Sequence, residues 1–220
     1  MRYYPIFLDL RGRRCLVVGG GEVGQRKVEG LVEAGAKVTV ISPDLTPSLC
    51  SLAKRKKIVH LSRRYRKGDL KGHFLAYAAT SDASTQRLMA SEARRGDLLI
   101  NVVDRPALCR FIAPAIVRRG DLIIAISTSG ASPALAKKLR QELEQIFGPE
   151  YAAALKFLRS LRKKLMTGSF SPSERQGIST DLVHSSLVSY LREGKKGKLT
   201  RLLKRILGRK RRLSGLRIRL

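Results

Sequence analysis

Tryptophan is absent and aromatic residues make up only 5% of the 220-residue chain. That leaves little from which to build the stacked side chains on which single-stranded nucleic-acid readers hold bases. Cysteine is scarce too: Cys15, Cys50 and Cys109 are too few and too far apart for a disulfide framework, and no CxxC pair suggests zinc. A reducing compartment is therefore expected. No apolar run approaches the roughly 20 residues that a membrane helix needs. The opening MRYYPIFLDLRGRR lacks the cationic, apolar and small-residue succession of a secretory leader. The expectation is a cytoplasmic protein. Acidic residues are few, 17 against 45 Lys and Arg, giving a formal net charge of +28. Such an excess attracts anions, whether nucleic acid, an acidic membrane surface, or a polycarboxylate or phosphate ligand.

What is present is an ordinary globular share of hydrophobic residues, 43%, on a chain long enough for one or two domains. Residues 15–20, 37–42, 57–62, 73–80 and 98–104 are short runs rich in Val, Ile and Leu, bounded by turn formers, and read as strands. Between the first two, Val23, Val28, Leu31, Val32 and Ala34 recur at helical spacing and Gly35 closes the helix. A second helix fits 84–96, around Leu88 and Met89. Strands alternating with helices predict an α/β fold whose parallel sheet is covered on both faces.

After Asp104 a further strand fits 122–128. A helix follows, with Ser132 as N-cap, Pro133 in the first turn and Gly148 at its end. Helices are expected over 149–166 and 181–192, separated by a Ser/Thr/Gly/Pro-rich loop at 167–180. Residues 194–220 hold twelve Lys or Arg and no acid. Leu199, Leu202, Leu203 and Ile206 share one face of a cationic helix over 199–213, weakened beyond Gly208. Such a helix suits an anionic membrane or nucleic acid; a solvated tail is the alternative.

Gly19, Gly21 and Gly24 form a GxGxxG pattern between the first strand and the first helix. In a dinucleotide-binding unit the first glycine makes the turn, the second admits the pyrophosphate and the third lets helix and strand approach. A purely structural glycine turn is the alternative. The second strand should end in an acidic residue that holds the adenosine ribose. Here the sequence reads Ser42-Pro43-Asp44, so Ser42 takes that position and Asp44 comes slightly late. NAD is the expected cofactor.

YPIFLDLRGRRCLVVGGGEVGQRKVEGLVEAGAKVTVISP, AATSDASTQ, NVVDRPALCRFIAPA and ISTSGASPALAKKLR stand in this order over about residues 4 to 145. Together they resemble the precorrin-2 dehydrogenase family, the short siroheme-synthase type that also forms the N-terminal part of larger siroheme synthases. The resemblance implies NAD-dependent oxidation of precorrin-2 to sirohydrochlorin. In some members the same site inserts ferrous iron. It also implies a homodimer, with a Rossmann domain over 1–112, a dimerisation region over 113–148, a helical domain over 149–193 and, beyond them, the basic tail at 194–220. Carried over residue by residue, Gly21, Glu22 and Val23 match the nucleotide loop, Pro43 and Asp44 the adenosine segment, and Asp104 the functional aspartate. Thr128 stands where some members have a tetrapyrrole-facing serine, beside Ser129.

Asp104 ends the fifth strand at the carboxyl edge, where open α/β sheets bind ligands. It is the candidate base or orienting group, and an iron ligand if iron is inserted; capping the loop before Pro106 is the alternative. A polycarboxylate substrate calls for cations, and Arg105, Arg110, Lys137, Lys138 and Arg140 are the candidates, each with a solvated alternative. Arg26 and Lys27 could help hold phosphate, although Lys27 could equally lie along the helix flank. His60 and His73 read as structural, and Cys109 as a buried thiol. The rival reading is a catalytically inactive Rossmann protein that senses nucleotides or binds an anionic surface through its tail.

Overall fold

In a computed structural model the described residues are 2–168 and 170–208. They fall into two compact units, one running through Ala113 and one starting at Pro114. The first contains β1 (Arg14–Val18), α1 (Glu22–Glu33), β2 (Lys37–Ile41), α2 (Pro47–Lys54), β3 (Ile58–Leu61), β4 (Leu75–Ala78), α3 (Ala83–Arg95) and β5 (Leu99–Val102). The strands form one parallel sheet in the order β3-β2-β1-β4-β5, with Val17 level with Val40 on one side and Tyr77 on the other.

Both sheet faces are used, which is why the strands read as near-continuous apolar runs. Cys15, Val17, Val38, Val40 and Ile58 meet Val28 and Leu31 of α1 and Leu49 of α2. Leu16, Val18, Ala76, Ala78 and Ile100 meet Met89, Ala90 and Ala93 of α3. The parallel order with its two helix layers is the expected Rossmann-type architecture. Helix α2 was not anticipated. At eight residues it is too short to show a helical period, and its start rests on Thr46, whose hydroxyl accepts from Leu49 N, and on Pro47 in the first turn.

The second unit takes in the expected dimerisation and helical regions and the described part of the tail. It opens with an antiparallel hairpin, β6 (Ala115–Arg119) and β7 (Leu122–Ile126), turning at Gly120 with φ +59°. Strand β6 is a further addition: AIVRR buries only Val117 fully, so its apolar signal is weak. Then follow α4 (Pro133–Ile146), α5 (Glu150–Thr167), α6 (Pro172–Val183), α7 (Leu187–Arg192) and α8 (Lys196–Gly208). Ser132 caps α4 by accepting from Leu135 N, as expected.

Three expectations are corrected here. The stretch 167–180 is not a loop throughout, because Ser171 and Glu174 form a capping box with Pro172 in the first turn and start α6. The single helix expected over 181–192 is broken at 184–186, where Ser185 Oγ donates to Leu182 O and accepts from Leu187 N. The apolar stripe of the tail is also not free for an external surface. Leu199, Leu202 and Leu203 are buried against Phe157, Leu161, Ile178, Leu182 and Leu187, with Ile206 partly buried beside them. The cationic face remains exposed at Lys198, Arg201 and Lys204. The expected helix from Arg209 to Leu213 lies outside the described residues.

Candidate functional site

Strands β1 and β4 are neighbours, yet β1 leads into α1 on one face and β4 into α3 on the other. The connections that leave them therefore pass to opposite faces, and this switch point at the carboxyl edge is where open α/β sheets take ligands, in a crevice outside the strand ends. Gly19 to Gly21 line it after β1, Ser42 to Asp44 follow β2, Thr80 and Asp82 follow β4, and Asp104 lies two residues beyond β5.

The glycines there have separate roles. Gly19 has φ +113°, and a Cβ on it would run into the carbonyl of Ala79. A Cβ on Gly24 would run into the Gly19 carbonyl, so only glycine lets α1 start this close to the turn. Gly21 instead faces open space and is the N-cap of α1, with no side chain capping the helix. The first N–H groups of α1, at Glu22 and Val23, thus point outward with the positive end of the helix behind them. That arrangement fits a diphosphate.

Ser42 explains the missing acid after β2. Its hydroxyl accepts from Gly20 N at 3.0 Å, and Thr46 N donates to Gly20 O at 3.0 Å, so the residue braces the glycine loop from behind. Pro43 and Asp44 follow it, both exposed. His60 Nε2 lies 2.9 Å from Ser42 O, which makes this histidine structural as expected. On the other wall Asp82 caps α3. Hydrogen bonds from the Thr85 hydroxyl first, then from the hydroxyl and N–H of Ser84, hold its carboxyl down to about 2. Gln86, buried, donates to Thr80 O at 2.8 Å. Asp82 and Gln86 went unnoticed in the sequence, although Asp82 ahead of Ser-Thr is a helix-start signal.

Asp104 is exposed and has φ +58°, a region that non-glycine residues seldom enter and that recurs at functional sites. Among the described residues its carboxylate accepts no hydrogen bond, so it does not cap the loop before Pro106. The loop is held by its neighbours instead: Val102 N donates to Cys109 Sγ at 3.2 Å, and Asn101 Nδ2 donates to Phe111 O at 3.0 Å. Burial pushes the Cys109 thiol up, consistent with an inert, inward-facing sulfur. No group of three or more His, Cys, Asp or Glu side chains converges as a metal site among the described residues.

The cations divide. Arg105 is exposed beside Asp104, whereas Arg110 turns away to an ion pair with Asp97 at 2.6 Å. Lys27 leans over the Tyr77 ring, 5.3 Å from its centre, and burial pushes its pKa down. It belongs to the helix flank rather than to a phosphate. In the second unit Lys137 is exposed on α4, while Lys138 and Arg140 pair with Glu142 and Glu144. The Thr128 hydroxyl donates to Ser132 O at 3.0 Å and accepts from Ser132 N, so it is spent on the turn before α4. Ser129 is exposed at φ +53°, and its N–H donates to the Ser127 hydroxyl.

The chain is similar to known proteins. An NAD(P)-binding family model matches residues 6–115, and a model described as the central part of a sirohaem biosynthesis protein matches 119–146. The siroheme synthase of Methylobacillus flagellatus is 42% identical over 172 residues, covering 76% of this chain and 37% of that protein. That of Chromobacterium violaceum is 43% identical over 162 residues, 74% and 34% respectively. The chain thus spans little more than a third of these relatives. Among solved structures, SirC, a precorrin-2 dehydrogenase, superposes with a TM-score of 0.80 at 27% identity, covering 94% of this chain and 100% of that one.

Proposed function

The chain belongs to the precorrin-2 dehydrogenase and siroheme synthase family of NAD(P)-binding proteins, and from that membership we propose that it oxidises precorrin-2 to sirohydrochlorin with NAD. The observation that carries the reading is one sheet edge with two features. The uncapped N-terminus of α1 stands at Gly21, and Asp104, whose carboxylate has no partner among the described residues, stands two strands away. At the ordinary strand spacing that separates β1 from β5 by roughly 10 Å, a gap that a nicotinamide ring and a substrate can bridge.

Bound NAD supplies the hydride acceptor. The chain's part is to seat the diphosphate on the N–H groups of Glu22 and Val23 and to set the adenosine beside Pro43 and Asp44. Asp104 orients the tetrapyrrole and takes the proton that leaves with the hydride, so that precorrin-2 and NAD become sirohydrochlorin, NADH and one proton. Arg105, Ser129 and Lys137 are the substrate-binding residues of this reading, matching the carboxylates with charge and hydroxyl, while Thr128 shapes the turn. The protein works as a homodimer, which light scattering would show as twice the chain's mass.

The test is anaerobic incubation with precorrin-2 and either NAD or NADP, following reduced nicotinamide and sirohydrochlorin together. Both should appear with NAD. Asp104→Asn should lower kcat at least about a hundredfold, within the range for a lost general base, and leave NAD affinity unchanged. If the wild-type protein binds NAD and makes neither product, the dehydrogenase reading fails.

A further inference from the structure

The connection from β3 to β4, residues 62–74, is made of turns and contains no helix. A parallel crossover ordinarily lays a helix over the strands it joins. Here Tyr65 and Leu70 cover Leu16 and Ile41, but among the described residues no helix covers the rest of that face of β2 and β3. Val59, in the middle of β3, is 58% exposed. The gap is a cavity of about 700 Å³ floored by Leu16, Thr39, Val59 and Leu61, within the range of small-molecule sites.

Its rim is strongly cationic. Arg14, Lys37 and Lys57 stand where β1, β2 and β3 begin, and Lys71 comes from the crossover. Among the described residues none of these four side chains is in an ion pair. Asp69, the carboxylate in the wall, is already held by Arg63 at 2.7 and 2.9 Å. His73 also lines the cavity, its ring nitrogens turned away from solvent toward the Asp69 and Leu70 carbonyls. Burial first, and the charge of Arg14 second, push its pKa down.

We propose that this cavity binds a small organic polyanion, a molecule with an apolar body and two or more carboxylate or phosphate groups. The apolar strand face takes the body and the four cations take the charges. The site lies toward the ends where the strands start, whereas the glycine loop follows the end of β1. It is therefore separate from the nucleotide crevice and does not rest on the dehydrogenase reading.

The test uses the full-length protein at 150 mM salt, with benzene-1,2,4,5-tetracarboxylate as the probe and inorganic pyrophosphate as charge without an apolar body. Calorimetry should give one saturable site for the tetracarboxylate, with amide and imidazole NMR shifts at Thr39, Val59 and His73. Lys37→Gln with Lys57→Gln should weaken it at least tenfold, although only two of the +28 charges are removed. Val59→Asp should abolish it. All three positions are exposed, so the fold should survive. Lys163→Gln with Lys204→Gln, an equal charge loss in the other unit, should change nothing, and NAD affinity should be the same throughout. The proposal is overturned if no saturable site is found, if pyrophosphate binds as tightly, or if the two paired variants weaken binding equally. In the last two cases net charge alone would be at work.

Discussion

Gly21 and Gly24 stand three residues apart in one motif and answer to different physics. Gly24→Ala would drive a methyl group into the Gly19 carbonyl, a backbone atom that cannot step aside. The expected cost is about 1–3 kcal/mol, read from urea denaturation. Gly21→Ala meets open space at an ordinary φ of −78°, so the melting temperature should hold. The same methyl group would crowd a diphosphate, and the NAD dissociation constant should rise at least tenfold. Unchanged affinity in Gly21→Ala would place the phosphates elsewhere. The motif's spacing was readable in the sequence, as was the oddity of Ser42 where an acid was due. That Ser42 braces Gly20 was not, because the bond joins residues 22 apart that only strand pairing brings together.

The helices of the second unit are held by a few long-range anchors. Glu150, buried at the start of α5, accepts from Arg192 Nε of α7 at 2.8 Å. Burial alone would raise its carboxyl, but its own backbone N–H and the guanidinium outweigh that and hold it below the ordinary 4.5. A carboxyl lowered on folding contributes its stability above about pH 4.5 and loses it as pH falls through the lower folded value. Wild-type stability should therefore drop below about pH 4.5. Glu150→Gln should be less stable at pH 7 and flatter below pH 5 in a denaturation series. Helix α8 is the second anchor. Leu202, 5% exposed, sits among α5, α6 and α7 side chains, and Leu202→Asp should cost at least about 3 kcal/mol. Circular dichroism should show lost helix, with NAD binding by the first unit retained. The sequence pattern of α8 was plain, yet an amphipathic face reads the same whether it meets a membrane or its own domain. Helix α6 was missed for a different reason: only Ile178, Leu182 and Val183 mark its apolar side, and its Ser-Pro start looks like a loop until Glu174 is seen closing the cap.

The whole molecule carries +28, and charge of that size binds polyanions by releasing their counterions whatever their sequence. Affinity for heparin or mixed-sequence DNA should fall at least about a hundredfold between 50 and 200 mM salt. A salt-insensitive complex would instead indicate a specific interface. The strand and helix periods, the glycine spacing and the charge balance were all legible in the chain, because each depends on neighbours a few residues away. From them came the parallel α/β architecture, the crevice and Asp104 at its edge. What needed the folded chain were relations between distant residues. Asp104 takes φ +58° in a loop that the Asn101 and Cys109 contacts hold on either side of it. Thr128 is spent on its own turn, and Lys27 on Tyr77. The tail's leucines close a core, and a crossover without a helix leaves a cationic cavity on the sheet. Periodicity says which side of an element is apolar. Which other element covers that side, or whether any does, is decided by packing between residues that the sequence keeps far apart.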